Sequence, residues 1–166
     1  MSKLIFETKR TIVRQYTLDD LQDFFRINSD KDVMRYIRKP KTFEETQQFL
    51  VDTLEYYNKY PQLGRWAAYE NITGAFIGSV AIIPIPGTED LQLGYAFLKE
   101  HWGKGYATEL AEKGVEYARS LKIDPLYGVV EKPNIASQKV LLKNGFEFIQ
   151  ELEEDGKQMY KYKLKQ

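Results

Sequence analysis

The stretch Leu91–Thr108, LQLGYAFLKEHWGKGYAT, decides the fold. Leu91 to Leu98 reads as a strand. It runs straight into a loop holding Gly103 and Gly105, and then into a helical pattern in which Ala107, Leu110, Ala111, Gly114, Ala118 and Leu121 share one face. A strand, glycine-rich loop and helix in succession gather the first N–H groups of the helix, which have no intrahelical acceptor, at the positive end of its dipole. Such a corner binds anions. The two glycines let backbone approach a phosphate closely, Ala107 lets the helix start tight against the sheet, and Lys104 adds positive charge. The GxxxxGK[ST] spacing of a Walker loop is absent. A Rossmann unit is excluded too, because the full GxGxxG string never occurs and hairpins join most strands.

Outward from this unit, Leu126 to Glu131 forms the next strand, and Asn134 opens a helix through Val140 and Leu141 that should stop at Gly145. A strand from Phe146 to Leu152 follows. The last hairpin turns on Asp155 and Gly156, with Tyr160, Tyr162 and Leu164 alternating against Lys161, Lys163 and Lys165. Upstream, Arg65 to Glu70 and Ala75 to Ile85 form a hairpin across Asn71 to Gly74. The N-terminal third reads as one strand, Thr11 to Arg14, and then helices. Thr17 caps a face of Leu21, Phe24, Phe25 and Ile27, a second helix restarts after Ser29 and Asp30 through Val33, Met34 and Ile37, and Thr42 begins a third. The expected class is α+β (mixed α/β) with six to seven strands, in one domain spanning residues 1–166.

The composition narrows the function. Lysine plus arginine and aspartate plus glutamate are both 24, so no global field gathers polyanions, and general nucleic-acid binding is not expected. With no cysteine and one histidine, disulfides, thiolate nucleophiles and Cys/His metal sites are excluded. No apolar run is long enough to span a membrane, and the start MSKLIFETKR lacks the apolar stretch of a signal peptide, so no membrane association and a cytoplasmic location are expected.

Four pieces taken together carry a resemblance: SDKDVMRYI after the first strand and helix, the strand LQLGYAFL, the loop HWGKGYAT, and the pattern Asn134, Ser137, Gly145, Phe146. The chain resembles the GCN5-related N-acetyltransferase superfamily, in its ribosomal-protein-alanine and spermidine-type branch. The resemblance implies a mostly antiparallel sheet flanked by about four to five helices, whose one parallel pair splays to admit the pantetheine arm of acetyl-CoA, with no metal. Backbone groups of Phe97 and Leu98 would pair with the pantetheine, and the corner from Gly103 through Lys104, Gly105, Tyr106 and Ala107 to Thr108 would hold the diphosphate. Asn134 would bond the pantetheine or acetyl region, Lys139 and Lys143 would meet the 3′-phosphate, Leu98 N–H would stabilise the oxyanion and Ser137 would donate a proton. Two positions depart from the family. Leu141 stands where many members carry a tyrosine acid, and Gln92 stands where relatives often carry a glutamate base.

Glu131 is the substitute base weighed first, against a surface ion pair with Lys132. Glu70 ranks below it, His101 reads as a solvent-exposed loop residue, and Tyr95 as cross-strand packing or a hydrogen-bond donor. The expected acceptor is a small-molecule or peptide amine: a protein N-terminus, a polyamine or an aminoglycoside. A homodimer is possible by resemblance. The alternative reading is an acyl-CoA-binding sensor without turnover.

Overall fold

Strand-forming runs separated by tight turns build one eight-stranded sheet in the computed structural model, which describes residues 2–166. The elements run β1 (Leu4–Glu7), β2 (Thr11–Gln15), α1 (Leu21–Ser29), α2 (Phe43–Lys59), β3 (Gly64–Glu70), β4 (Phe76–Pro84), β5 (Leu91–Phe97), α3 (Tyr106–Ser120), β6 (Leu126–Glu131), α4 (Ile135–Lys143), β7 (Phe146–Glu154) and β8 (Lys157–Leu164). The spatial order is β1-β2-β3-β4-β5-β6-β8-β7, and β5 with β6 is the parallel pair, as the α3 crossover demands. The eighth strand is β1, whose four residues LIFE are too short to show a period. It is recruited by pairing with β2.

Alternation sorts the sheet into two faces. Leu93, Val80, Ile82 and Trp66 pack under α3 and α4 with Leu110, Ala111 and Leu141, whereas Ala67, Phe76 and Leu98 pack under α1 and α2 with Phe24, Ile27 and Leu50. Thr42 opens α2 with a reciprocal cap, Glu45 N–H donating to its hydroxyl and the Glu45 carboxylate accepting from Thr42 N–H. Thr17 precedes a single 3-10 turn, Leu18–Asp20, before α1 begins.

The expected second helix through Val33 and Ile37 does not form. Asp30 Oδ1 instead accepts from the N–H groups of Asp32 and Val33, so the segment closes on its own side chain and runs as turns to Pro40. Val33 and Met34 are buried, while Arg35, Tyr36 and Arg38 are left along the underside of a roof over the sheet.

Candidate active site

The sheet opens at its parallel pair. β5 and β6 are in register only at Leu91 with Leu126 and Gln92 with Tyr127, and beyond Gln92 the rest of β5 has no partner on that edge. On its other edge β5 is held close to β4. A Cβ at Gly78 would collide with the Ala96 carbonyl and come within 2.9 Å of Phe97 Cα, so only glycine permits the approach. A cavity of about 930 Å³ passes through the gap and reaches both faces of the sheet.

On the α3 side the cavity meets the glycine corner. Gly103 and Gly105 have φ of +72° and +82°, a region open to glycine at little cost, and Gly105 leads directly into α3. Among the described residues, the N–H groups from Gly103 to Thr108 have no protein acceptor, and the first bond of the helix is Glu109 N–H to the Gly105 carbonyl. Gly103, Gly105, Tyr106, Ala107 and Thr108 line the cavity; Lys104 is exposed and outside the lining. The cation beside the corner is Arg10, which sequence reasoning missed. Its guanidinium stacks 4.2 Å from the Tyr106 ring centroid, bonds Glu109 at 2.8 Å and stands against Gly105. Only the β1–β2 hairpin brings it there, so no local signal announced it. Lys139 and Lys143 lie on the solvated side of α4, outside the cavity.

At the middle of the gap, Tyr95 on β5 reaches the first turn of α4, where its hydroxyl lies 3.0 Å from Ser137 Oγ. Burial pushes the Tyr95 pKa up to about 12, a rise that the Ser137 hydrogen bond only partly offsets. Asn134 caps α4 by accepting from Ser137 N–H at 3.2 Å through its side-chain oxygen, and both residues line the cavity. Capping and lining are thus combined in one residue.

Geometry corrects the roles expected of Leu98, Glu131 and His101. Leu98 N–H donates to the Ile77 carbonyl at 3.0 Å, so it is committed to β4 and points away from the gap. The Phe97 carbonyl accepts from the Trp102 indole at 2.7 Å. The alternation of an antiparallel ladder then turns Tyr95 N–H and Phe97 N–H toward the open edge. Glu131 lies outside the cavity lining, and its Oε2 is 3.9 Å from Lys157 Nζ, because the residue sits at the strand end opposite Met159. Glu70 bonds Thr73 in the β3–β4 turn, and those bonds hold its carboxyl below the ordinary range. His101 is half-buried in the cavity wall, edge-on to Tyr106, rather than free in solvent, and burial lowers its pKa. Gln92 lines the α1/α2 side, and Leu141 fills the space over Gly128 as core.

Fold and site together define an acyl-group transferase. A family model described as the acetyltransferase (GNAT) domain matches residues 10–147, and the protein belongs to that family as one of its acetyltransferases. Among curated relatives, the uncharacterized N-acetyltransferase YoaA of Bacillus subtilis is 30% identical over 147 residues, covering 86% of this chain and 82% of YoaA. A GNAT-family acetyltransferase from Bacillus anthracis superposes with a TM-score of 0.80 at 21% identity, covering 97% of each chain. The spermidine N-acetyltransferase of Vibrio cholerae, solved with CoA and spermine, superposes with a TM-score of 0.76 at 21% identity, covering 93% of this chain and 95% of that one. No cluster of metal-ligating side chains occurs, and no helix is long and apolar enough to cross a membrane, among the described residues.

Proposed function

We propose that the protein transfers the acetyl group of acetyl-CoA to a primary amine by direct attack within a ternary complex. The observation that carries this reading is the unzipped β5–β6 pair, with donor groups on its open edge and unclaimed N–H groups at its end. The N–H groups from Gly103 to Thr108, with Arg10 beside them, fit the diphosphate, and the open edge of β5 fits the amides of the pantetheine arm. Asn134 and Ser137 border the acyl end. The amine enters from the α1/α2 side, where Gly94 and Ala96 leave the sheet bare.

The amine lone pair attacks the thioester carbonyl, the C–N bond forms, the C–S bond breaks, and CoA leaves as thiolate while the amine gives up a proton. Phe97 N–H faces the position where the carbonyl oxygen gathers charge. The Tyr95–Ser137 pair lies where the sulfur departs. With Tyr95 near 12 and an ordinary thiol near 8.5, complete proton transfer to sulfur is uphill. The pair therefore acts as a hydrogen-bond donor to the developing thiolate. The amine proton leaves through water in the open cavity: Gln92 accepts no proton, Asp32 in the roof is held by Lys99 at 2.6 Å, and His101 and Glu154 are the lining groups to which that water can pass it. Positioning two bound reactants supplies much of the rate.

The test is a panel of primary amines with acetyl-CoA, following thiol release, alongside melting with and without CoA. Turnover with a CoA-induced rise in Tm is expected. A chain whose Tm ignores CoA, and which releases no thiol with any amine, refutes the reading.

A further inference from the structure

The acceptor side holds two neighbouring half-buried arginines that the fold leaves without counter-ions. Arg65 on β3 and Arg38 on the roof both line the cavity, with guanidinium carbons 5.0 Å and 5.2 Å from the Phe49 ring centroid. Of the other five arginines, Arg10 pairs with Glu109, Arg14 with Asp20 and Arg26 with Asp23, while the exposed Arg35 lies over the Tyr36 ring and the exposed Arg119 donates to the Lys165 carbonyl. Among the described residues neither Arg38 nor Arg65 has a carboxylate within 4.0 Å. Arg38 Nη1 donates to the Asn28 side-chain oxygen at 2.7 Å and to Met34 Sδ at 3.5 Å, which leaves the donors on its other nitrogens free. Burial lowers the pKa of both, and Arg65 adds to the effect on Arg38, which falls to about 10; a guanidinium keeps its charge at neutral pH. Two desolvated cations beside one another cost stability, and folding retains them only if something else repays the repulsion.

The path from the gap to this pair is clear. Arg65 is opposite Ala81, and Ala81 is opposite Gly94, so two strand spacings, about 10 Å, separate the Arg65 backbone from β5. Ser79, Ala81, Gly94 and Ala96 pave that floor with small side chains, and a Cβ on Gly94 would meet nothing within 4 Å. A molecule lying on the floor with one end at the Tyr95–Ser137 pair brings its other end within reach of the Arg65 side chain.

We propose that Arg38 and Arg65 bind an acidic group at the far end of the acceptor, so that the preferred substrate is a small primary amine carrying a carboxylate or phosphate a few methylenes from its nitrogen. This rests on the acetyl-transfer reading above. The guanidinium fork matches either oxygen group, and the same charges repel the distal ammonium of a polyamine.

The experiment compares hexylamine, hexanediamine, aminohexanoate and the corresponding aminoalkyl phosphonate as acceptors with acetyl-CoA. An acidic acceptor is expected to exceed hexylamine at least tenfold in kcat/KM, with hexanediamine slowest; the better acidic compound identifies the group. Arg65→Met should bring the acidic-to-neutral ratio close to one, and Arg65→Lys should leave it intermediate. Arg65→Met removes an unpaired cation and should melt at or above wild type, and Arg38→Met gives a second reading. Hexanediamine or hexylamine as the best acceptor, or a ratio untouched by both methionine variants, overturns the proposal. Binding of adipate to the CoA-loaded protein, followed by calorimetry, reads the subsite without turnover. Its loss in Arg65→Met supports the subsite, and its absence in wild type overturns it. A wild-type Tm that ignores CoA, with no turnover of any amine, is the separate signature that acetyl transfer itself has failed.

Discussion

The two halves of the cavity are made of different material. The α3/α4 half presents backbone, the bare N–H groups from Gly103 to Thr108 and the unpaired edge of β5, and asks of its side chains mainly that some be absent. The α1/α2 half presents side chains, Arg65 and Gln92 from the sheet and Arg38 from a roof of turns that starts at Asp30. Backbone donors are the same in every sequence, so the first half survives wide divergence, whereas the second changes its ligand with one or two substitutions. On the proposed reading, specificity for the acceptor belongs to the part of the molecule that local pattern describes least well.

The largest expected effect lies in what fastens the side-chain half to the sheet. Asp20 is buried beneath α1 and takes both guanidinium nitrogens of Arg14 at 2.9 Å, the Tyr69 hydroxyl at 2.9 Å and Thr17 N–H at 2.7 Å. Burial alone would raise its carboxyl pKa, but these bonds outweigh burial and hold it below the ordinary value. Asp20→Asn breaks a buried pair and should cost about 3 kcal/mol in chemical denaturation. Because the folded pKa is depressed, this stabilisation is complete above the unfolded value, near 4, and disappears as pH falls through the folded one. The variant should therefore lose its deficit relative to wild type in acid. An equal deficit at pH 7 and well below pH 4 would break the assignment.

Next comes the bridge between the halves. Tyr95→Phe or Ser137→Ala should each lower kcat about 100-fold with KM for acetyl-CoA little changed, the scale of a lost hydrogen bond to developing charge. The double variant should be no worse than the poorer single one, because the two hydroxyls act as a unit. Strictly multiplicative losses would separate them. With Tyr95 near 12, no fall in kcat from its ionisation is expected below pH 10.

How much of this was legible depended on the same division. The glycine corner, the helix start at Asn134, the stop at Gly145 and the Asp155–Gly156 turn are all local requirements, and residue type declares them. The Tyr95–Ser137 contact joins residues 42 apart in sequence, and a strand tyrosine shows no period that tells packing from chemistry. Arg65 left a faint trace, as a charge within the run GRWAAYE on the face it shares with Ala67. Arg38 left none, since the roof follows neither a helical nor a strand period. The assignment of Leu98 N–H failed for a related reason: sequence fixes which side chains alternate, but the edge to which an N–H turns depends on β4 and its closeness at Gly78.

The backbone half can be tested by adding atoms. Gly105→Ala places a Cβ at φ +82°, a conformation that costs an L-residue about 1–2 kcal/mol, so CoA affinity by calorimetry should weaken about tenfold. Gly94→Ala fills open floor on the other half, so it should leave CoA affinity alone and raise KM for the acceptor. Equal effects of both variants on CoA would erase the division between the halves.

The smallest effect expected is at Gln92, and its sign discriminates most. The side chain faces the α1/α2 half, where a carboxylate would take the amine proton directly. If water in the cavity already does so, Gln92→Glu gains only a few-fold in kcat/KM, seen mainly below the amine pKa, where the neutral fraction is small. The new negative charge also enters the field of Arg38 and Arg65, so the gain should be greater for hexanediamine than for aminohexanoate and should narrow the preference for acidic acceptors. A hundredfold gain for every amine would mean that proton removal limits the native enzyme. A uniform loss would mean that the neutral amide itself bonds the acceptor, and Gln92 would then join the arginines as a determinant of which amine is taken.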